Sequence, residues 1–387
     1  MRIGQITGEY PPMQGGVGAF TQELGRALSA LGHDVFIYTD HRAASAPSGA
    51  LHVTAEARGW GLGTLRRIRR WARAHRLDVV NLQYQAAAYG MTPPIHALPL
   101  VLRRPRVVVT FHDLLVPYLF PKAGPLRRQA VLTLARTADG VIVTNAGDEA
   151  QLATERGIAR LVRIPIGSNI HPTPPPDFER AAWRAAHGYT PRDFVIGYFG
   201  FLNASKGVET LLEAVAALRA EDLPARLLMI GGRTGTSDPT NAAYAAQIEA
   251  RVAALGLSEA VTWTGFVDDA EVSAHLLTAD AIALPYRDGA SYRRGSLMAA
   301  LAHGCAIVST QPRSAAPDLR DGEHALLVPP DDPQALAVAL RALADDATLR
   351  ARLGTSARAL AQQFTWERIA ARTAAFFQSL AQHKGYS

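Results

Sequence analysis

Val195-Ile196-Gly197-Tyr198-Phe199-Gly200-Phe201-Leu202-Asn203-Ala204-Ser205-Lys206-Gly207 reads as a strand, a glycine-bearing loop and a lysine at the start of a helix. It follows a stretch, 165–191, in which Pro172, Pro174, Pro175 and Pro176 crowd out regular helix and central strand. On both sides of that break, short β-branched runs alternate with amphipathic helical patterns, the signature of parallel sheets built from βαβ units. The expected strands lie near 2–7, 34–39, 78–82, 106–110, 140–143 and 161–164, then near 194–199, 225–230, 261–264, 280–284, 305–309 and 325–328. Helices are expected near 19–31, 62–75, 125–136 and 147–156 in the first half, and the tail beyond Asp331 is mostly helical. Two doubly wound α/β domains in series follow, with a ligand cleft expected between the carboxyl ends of their sheets. The boundaries predicted are 1–168 for the first domain, 169–191 for a linker and 192–365 for the second.

A length of 387 residues suits two domains, each with its own core. Cys305 is the single cysteine, which excludes an internal disulfide and a cysteine metal cluster. The N-terminus enters a strand pattern at once, without the apolar core of a secretory signal, and no apolar run is long enough for a membrane span, so a cytoplasmic protein is expected. The charge is uneven. Residues 1–168 hold 20 Lys and Arg against 11 Asp and Glu, and residues 169–387 hold 20 against 23. Much of the excess lies in Arg66, Arg67, Arg69, Arg70, Arg73 and Arg76, with no acid between Glu56 and Asp78. Leu62, Leu65, Ile68, Trp71 and Ala72 recur there at helical spacing. This basic amphipathic helix, 62–76, reads either as a solvated surface or as a contact with an anionic membrane face. No nucleic-acid partner is expected, because no recognition motif accompanies the charge.

Gly15-Gly16-Val17-Gly18 leads from the first strand into a helix, where glycine amides can cradle an anion or simply make a tight turn. Neither the dinucleotide fingerprint nor a P-loop is present. Val109-Thr110-Phe111-His112-Asp113 places an imidazole at a strand's carboxyl edge, and Lys206 at a helix start opposes the dipole and so wants an anion. Gly231-Gly232-Arg233 and Gly265-Phe266-Val267 end two further strands, the latter before an Asp-capped helix.

Taken in order, the Gly-Gly loop, Thr110-x-His112-Asp113, Val141 to Asn145, Ile164-Pro165-Ile166-Gly167, Gly200-x5-Lys206-Gly207, Thr264 to Val267, Leu284-Pro285 and Gly304 to Val308 resemble the retaining GT-B glycosyltransferases of group 1, or family 4. The similarity covers essentially the whole chain. It implies an α/β GT-B enzyme, two Rossmann-like domains facing each other across a cleft, with a last helix, 366–387, returning to the N-terminal domain. It implies a nucleotide-sugar donor and a glycan, lipid-linked or small-molecule hydroxyl acceptor, with no cofactor and no metal. The absence of any D-x-D sequence agrees with the latter. Carried over by position, Gly15 and Gly16 sit against the donor phosphates, His112 contacts the transferred sugar and Lys206 binds the diphosphate. Phe201, Ser205, Gly232 and Arg233 line the donor, and Gly265, Phe266 and Val267 flank the base. Tyr10, Tyr84 and Asn145 belong to the acceptor side.

Two departures stand out. Phe201 replaces the family's arginine after the strand-end glycine, and Ser291 and Ala299 replace its two glutamates, eight positions apart. At least one of Arg293 and Arg294, just before Gly295-Ser296 and a helix, is therefore expected to bind the donor diphosphate in place of the absent arginine, with Ser291 or Ser296 adding a weaker bond; the other reading makes both arginines surface ion pairs. The missing residues also keep open a non-catalytic protein of this family that binds a nucleotide or a glycan. An epimerase would need a pair of acid and base carboxylates, and none is evident.

Overall fold

The computed structural model describes residues 1–13, 15–43, 51–102, 104–112, 114, 124–232, 240–313 and 318–382. It divides into two compact units, one of Met1–Gly167 and the chain from Thr365 onward, the other of Ser168–Phe364.

The first unit is built on strands β1 (Arg2–Ile6), β2 (Asp34–Asp40), β3 (Leu51–Ala57), β4 (Val79–Tyr84), β5 (Arg106–Phe111), β6 (Gly140–Val143) and β7 (Leu161–Arg163). All pair in parallel in the order β3-β2-β1-β4-β5-β6-β7. Both faces are covered, as a parallel sheet requires. Ile68, Trp71 and Leu134 pack in the cluster on one side, and Phe20, Leu24, Leu28, Ile369 and Phe377 in that on the other. Helix Gly16–Ala30 buries Val17, Phe20, Thr21, Leu24 and Leu28, a stripe of period 3.6. Helix Trp366–Gln382 belongs to this unit: Trp366 meets Phe20 edge-on at 5.2 Å, and Arg160 donates to the Ser379 carbonyl at 3.1 Å.

The second unit holds β8 (Phe194–Phe199), β9 (Ala225–Ile230), β10 (Val261–Trp263), β11 (Ala281–Leu284), β12 (Ile307–Thr310) and β13 (Leu326–Val328), again parallel, in the order β10-β9-β8-β11-β12-β13. The winding reverses between β1 and β4 in one unit and between β8 and β11 in the other. Loops after such paired strands diverge and leave room for a ligand.

The structure amends several expectations. Strand β3 was not anticipated: it lies at the sheet edge, and only its first and last residues are buried, so it carries little apolar signal. The segment expected as a linker, 169–191, contains helix Arg180–Ala186, capped by the Glu179 carboxylate on the Ala182 amide. Buried Arg184 ties it to Asp280 at 3.0 Å and to the Asp193 carbonyl at 2.6 Å, so it is part of the second unit. Leu62, read as part of an apolar face, is 64% exposed.

Candidate functional site

In the second unit the loops after β8 and β11 touch. The Arg287 amide donates to the Ser205 carbonyl at 2.9 Å, and a Cβ on Gly207 would fall 2.1 Å from the Pro285 carbonyl oxygen. Gly207, at φ +64°, caps helix Val208–Ala220, so Lys206 lies in a short 3-10 turn ahead of the helix and not within its first turn. Gly200 has φ +122°, and any side chain there would collide with the Lys206 ammonium, 2.4 Å from its Cβ position. The glycine thus shapes the seat of the lysine.

Lys206 has no carboxylate in ion-pair reach among the described residues, and burial, reinforced by Arg294, holds its amine down to about 7. Arg294 precedes helix Gly295–Ala302. Its Nη2 donates to the Ser205 hydroxyl at 3.3 Å and to both oxygens of Asp288, at 2.5 and 2.6 Å. Its plane lies over the Tyr286 ring at 5.0 Å, and its buried Nε has no hydrogen-bond partner. Arg293 donates to the same Asp288 at 2.7 Å. Two arginines therefore share one carboxylate where the winding reverses, with Lys206 beside them. Asp288 is a site residue that sequence reasoning passed over; its spacing of five and six residues from the arginines was the available signal.

Around this cluster, Ser296 shares a 2.7 Å hydrogen bond with the Tyr286 hydroxyl, and Ser291 accepts from the Arg294 amide through its carbonyl at 3.0 Å. Phe201 is half-buried, its carbonyl accepting from Tyr198. At the ends of β9 and β10, Gly231 (φ +104°) and Gly265 (φ +70°) form an isolated bridge beside Gly232. Phe266 is 67% exposed and Val267 half-buried, next to the Asp268 that caps helix Asp269–Thr278. Arg233 lies outside the described residues.

In the first unit, the amides after the Gly-Gly turn meet an anion from within the chain. Glu9 Oε1 accepts from Val17 N at 3.0 Å and Gly18 N at 3.3 Å. Burial raises the carboxyl's pKa, and the two amides oppose that shift. Gly15 permits this, since its Cβ would sit 2.1 Å from that oxygen, whereas a Cβ on Gly16 meets nothing within 4 Å.

His112 follows β5, edge-on to Phe20 at 4.7 Å. Its tautomer can be derived. The Thr21 carbonyl only accepts, so Gln5 turns its amide nitrogen there, at 3.4 Å. Gln83 then donates to Gln5 Oε1 at 3.1 Å and presents its own oxygen to His112 Nε2 at 2.9 Å. Nε2 therefore carries the proton and Nδ1 the lone pair. Burial pushes the imidazole down to about 3. Asp113 is outside the described residues.

Two of the residues expected on the acceptor side have partners of their own. Tyr84 is core, bonded to His96 at 2.8 Å, and Asn145 caps helix Ala146–Ala153 by accepting from Asp148 N at 2.9 Å. Tyr10 is buried as well.

Residues 14–171 match the glycosyltransferase family 4 domain, and residues 193–346 match the glycosyl transferases group 1 domain. The chain belongs to glycosyltransferase family 4. This family 4 member is 31% identical to a D-inositol 3-phosphate glycosyltransferase of Jonesia denitrificans, over 51% of its own length and 46% of that protein's. It thus spans about half of that relative. A phosphatidyl-myo-inositol mannosyltransferase of Mycolicibacterium smegmatis is 25% identical over 98% of this chain and 94% of its own. Among solved structures, HepE of Anabaena in complex with UDP and glucose superimposes with a TM-score of 0.77 at 20% identity, covering 98% of this chain and 100% of that one. That likeness shows the GT-B fold.

Proposed function

We propose that this chain is a retaining glycosyltransferase that moves a sugar from a nucleoside diphosphate-sugar to a hydroxyl acceptor. The observation that carries the reading is the cluster of Lys206, Arg293 and Arg294 between the loops after β8 and β11, next to the amides that open helix Gly295–Ala302. In the reaction, the bond from the sugar's anomeric carbon to the diphosphate breaks and its electron pair stays on the departing oxygen. The acceptor oxygen bonds to that carbon from the same face, and its proton passes to the departing phosphate. Charge builds on the diphosphate, so fixed cations and helix-terminal amides aimed there lower the barrier. Three side-chain cations bring charge that a divalent ion would otherwise supply, and transfer is expected to survive chelator. His112, neutral with a lone pair on Nδ1, suits a hydrogen bond from a sugar hydroxyl.

Inositol phosphates are the acceptors to try first, and UDP-sugars the donors, following the names of the relatives. No helix among the described residues is long and apolar enough to cross a membrane. Contact with an anionic membrane face falls to helix Leu62–Ala74 and its flank, where Arg66, Arg69, Arg70, Arg73 and Arg76 are exposed. The deciding experiment is release of nucleoside diphosphate from a panel of nucleotide-sugars offered with inositol phosphates and simple glycans. Stereospecific product with the donor's anomeric configuration is expected. No release from any pair, together with no nucleotide binding, would overturn the reading.

A further inference from the structure

Asp288 stands apart from the residues that would hold a donor, because its charge has the donor's sign. It is 30% exposed at the side chain, against 16% for Arg294 and 24% for Arg293, and it bonds to both guanidinium groups. The mode of contact is uneven. Arg294 offers Nη2 alone to both carboxylate oxygens and to Ser205, while its buried Nε has no partner. A paired fork, two parallel N–H bonds to two oxygens, is the stronger arrangement for a guanidinium and fits a phosphate as well as a carboxylate. Asp288 therefore holds Arg294 by less than the group can give. A nucleoside diphosphate carries at least two negative charges and more acceptor oxygens than one carboxylate.

We propose that Asp288 is a built-in competitor for the leaving group: it exchanges with the diphosphate for Arg293 and Arg294, keeps the pair paired between turnovers and limits how tightly the product is held. This rests on the glycosyltransferase reading above and extends it to product release. Lys206, with no carboxylate partner among the described residues, is the cation that the diphosphate meets without such an exchange. Asp288 acts through the arginines and is thus a positioning residue.

The distinguishing feature is the sign of the effect, since damage to a site weakens binding. Calorimetric titration of UDP and GDP into the full chain compares wild type, Asp288→Asn, Arg294→Ala and the double variant, with Asp288→Ser as a second neutral replacement should the amide fold poorly. Asp288→Asn and Asp288→Ser are expected to bind the nucleotide on the order of tenfold more tightly, because no paired carboxylate has to be displaced. Arg294→Ala weakens binding, and Asp288→Asn on that background recovers much less than tenfold. In turnover, Asp288→Asn lowers KM for the donor and lowers kcat as product leaves more slowly, while Asp288→Glu stays near wild type. Equal or weaker binding by both neutral variants, folded by circular dichroism, would overturn the role of Asp288 and leave the glycosyltransferase reading standing. Binding of neither nucleotide by wild type would overturn both.

Discussion

Lys206 carries a charge that depends on pH in the working range. Its amine titrates at about 7, so below that value it is a cation, and above it a neutral amine unless an anion restores the proton. Nucleoside diphosphate affinity is therefore expected to fall from about pH 7.5 to 9.5, where the ligand's own charge is constant, with uptake of close to one proton on binding. Calorimetry in two buffers of different ionisation heat measures that proton. Lys206→Arg keeps its charge throughout and should flatten the profile, whereas a flat profile in wild type would place the diphosphate elsewhere. Lys206→Ala is expected to cut transfer roughly 100–1000-fold. His112 offers a second test. Gln83→Glu sets a carboxylate against Nε2–H and should raise the imidazole pKa by about 1–3 units. Nitrogen NMR reads both the pKa and the Nε2–H tautomer, and an Nδ1–H signal in wild type would refute the amide chain from Thr21.

Helix Gly16–Ala30 begins on two glycines that the sequence presents as equivalent and the fold does not. Gly15→Ala must push Glu9 off the Val17 and Gly18 amides, and a lost cap of this kind costs about 1–2 kcal/mol. Gly16→Ala meets open space and should leave the melting temperature unchanged, which makes it the cleaner probe of the loop in transfer. Chemical unfolding of both variants checks the contrast. Helix Leu62–Ala74 presents a separate case. Leu65, Ile68, Trp71 and Ala72 fasten it to the sheet, leaving Arg66, Arg69, Arg70 and Arg73 outward with Leu62 at its leading end. Near an anionic surface each basic residue contributes about 1 kcal/mol. Sedimentation with phosphatidylserine vesicles at low salt should carry the chain down, and high salt or neutral vesicles should release it. Equal recovery with neutral and anionic vesicles would return the helix to a solvated role.

Acid should loosen both units through histidines kept neutral by burial. His112 is held near 3 and His275 near 4, the latter by burial and then by His187. Below about pH 6.5 the unfolded chain takes up protons that the folded one refuses, so stability falls as pH drops, by about 1.4 kcal/mol per unit for each such group. For His275 the loss runs down to about 4. Urea unfolding at pH 7 and pH 5 measures it, and His275→Gln should reduce the slope. Twelve of the thirteen strands among the described residues were readable from β-branched runs between turn residues, because buried parallel strands concentrate that signal. Edge strand β3 did not, and helix Arg180–Ala186 was hidden behind the prolines before it. The residues of the candidate site were legible by type and order, and their partners were not. Glu9 on the helix amides and Gln5 behind Gln83 are pairings made by the fold that neither residue's type announces, and only Asp288, five and six residues from its arginines, left a local signal.

The membership of helix Trp366–Gln382 sets an order of events during synthesis. Residues 168–364 form one uninterrupted unit and can fold as they leave the ribosome. Residues 1–167 cannot finish, although they are made first. The apolar side of their sheet that takes Trp366, Ile369 and Phe377 stays bare until residues 366–382 have been translated. Until then the first half is expected to leave Phe20, Leu24 and their neighbours uncovered. A shortened chain that stops before Trp366 would go on showing them.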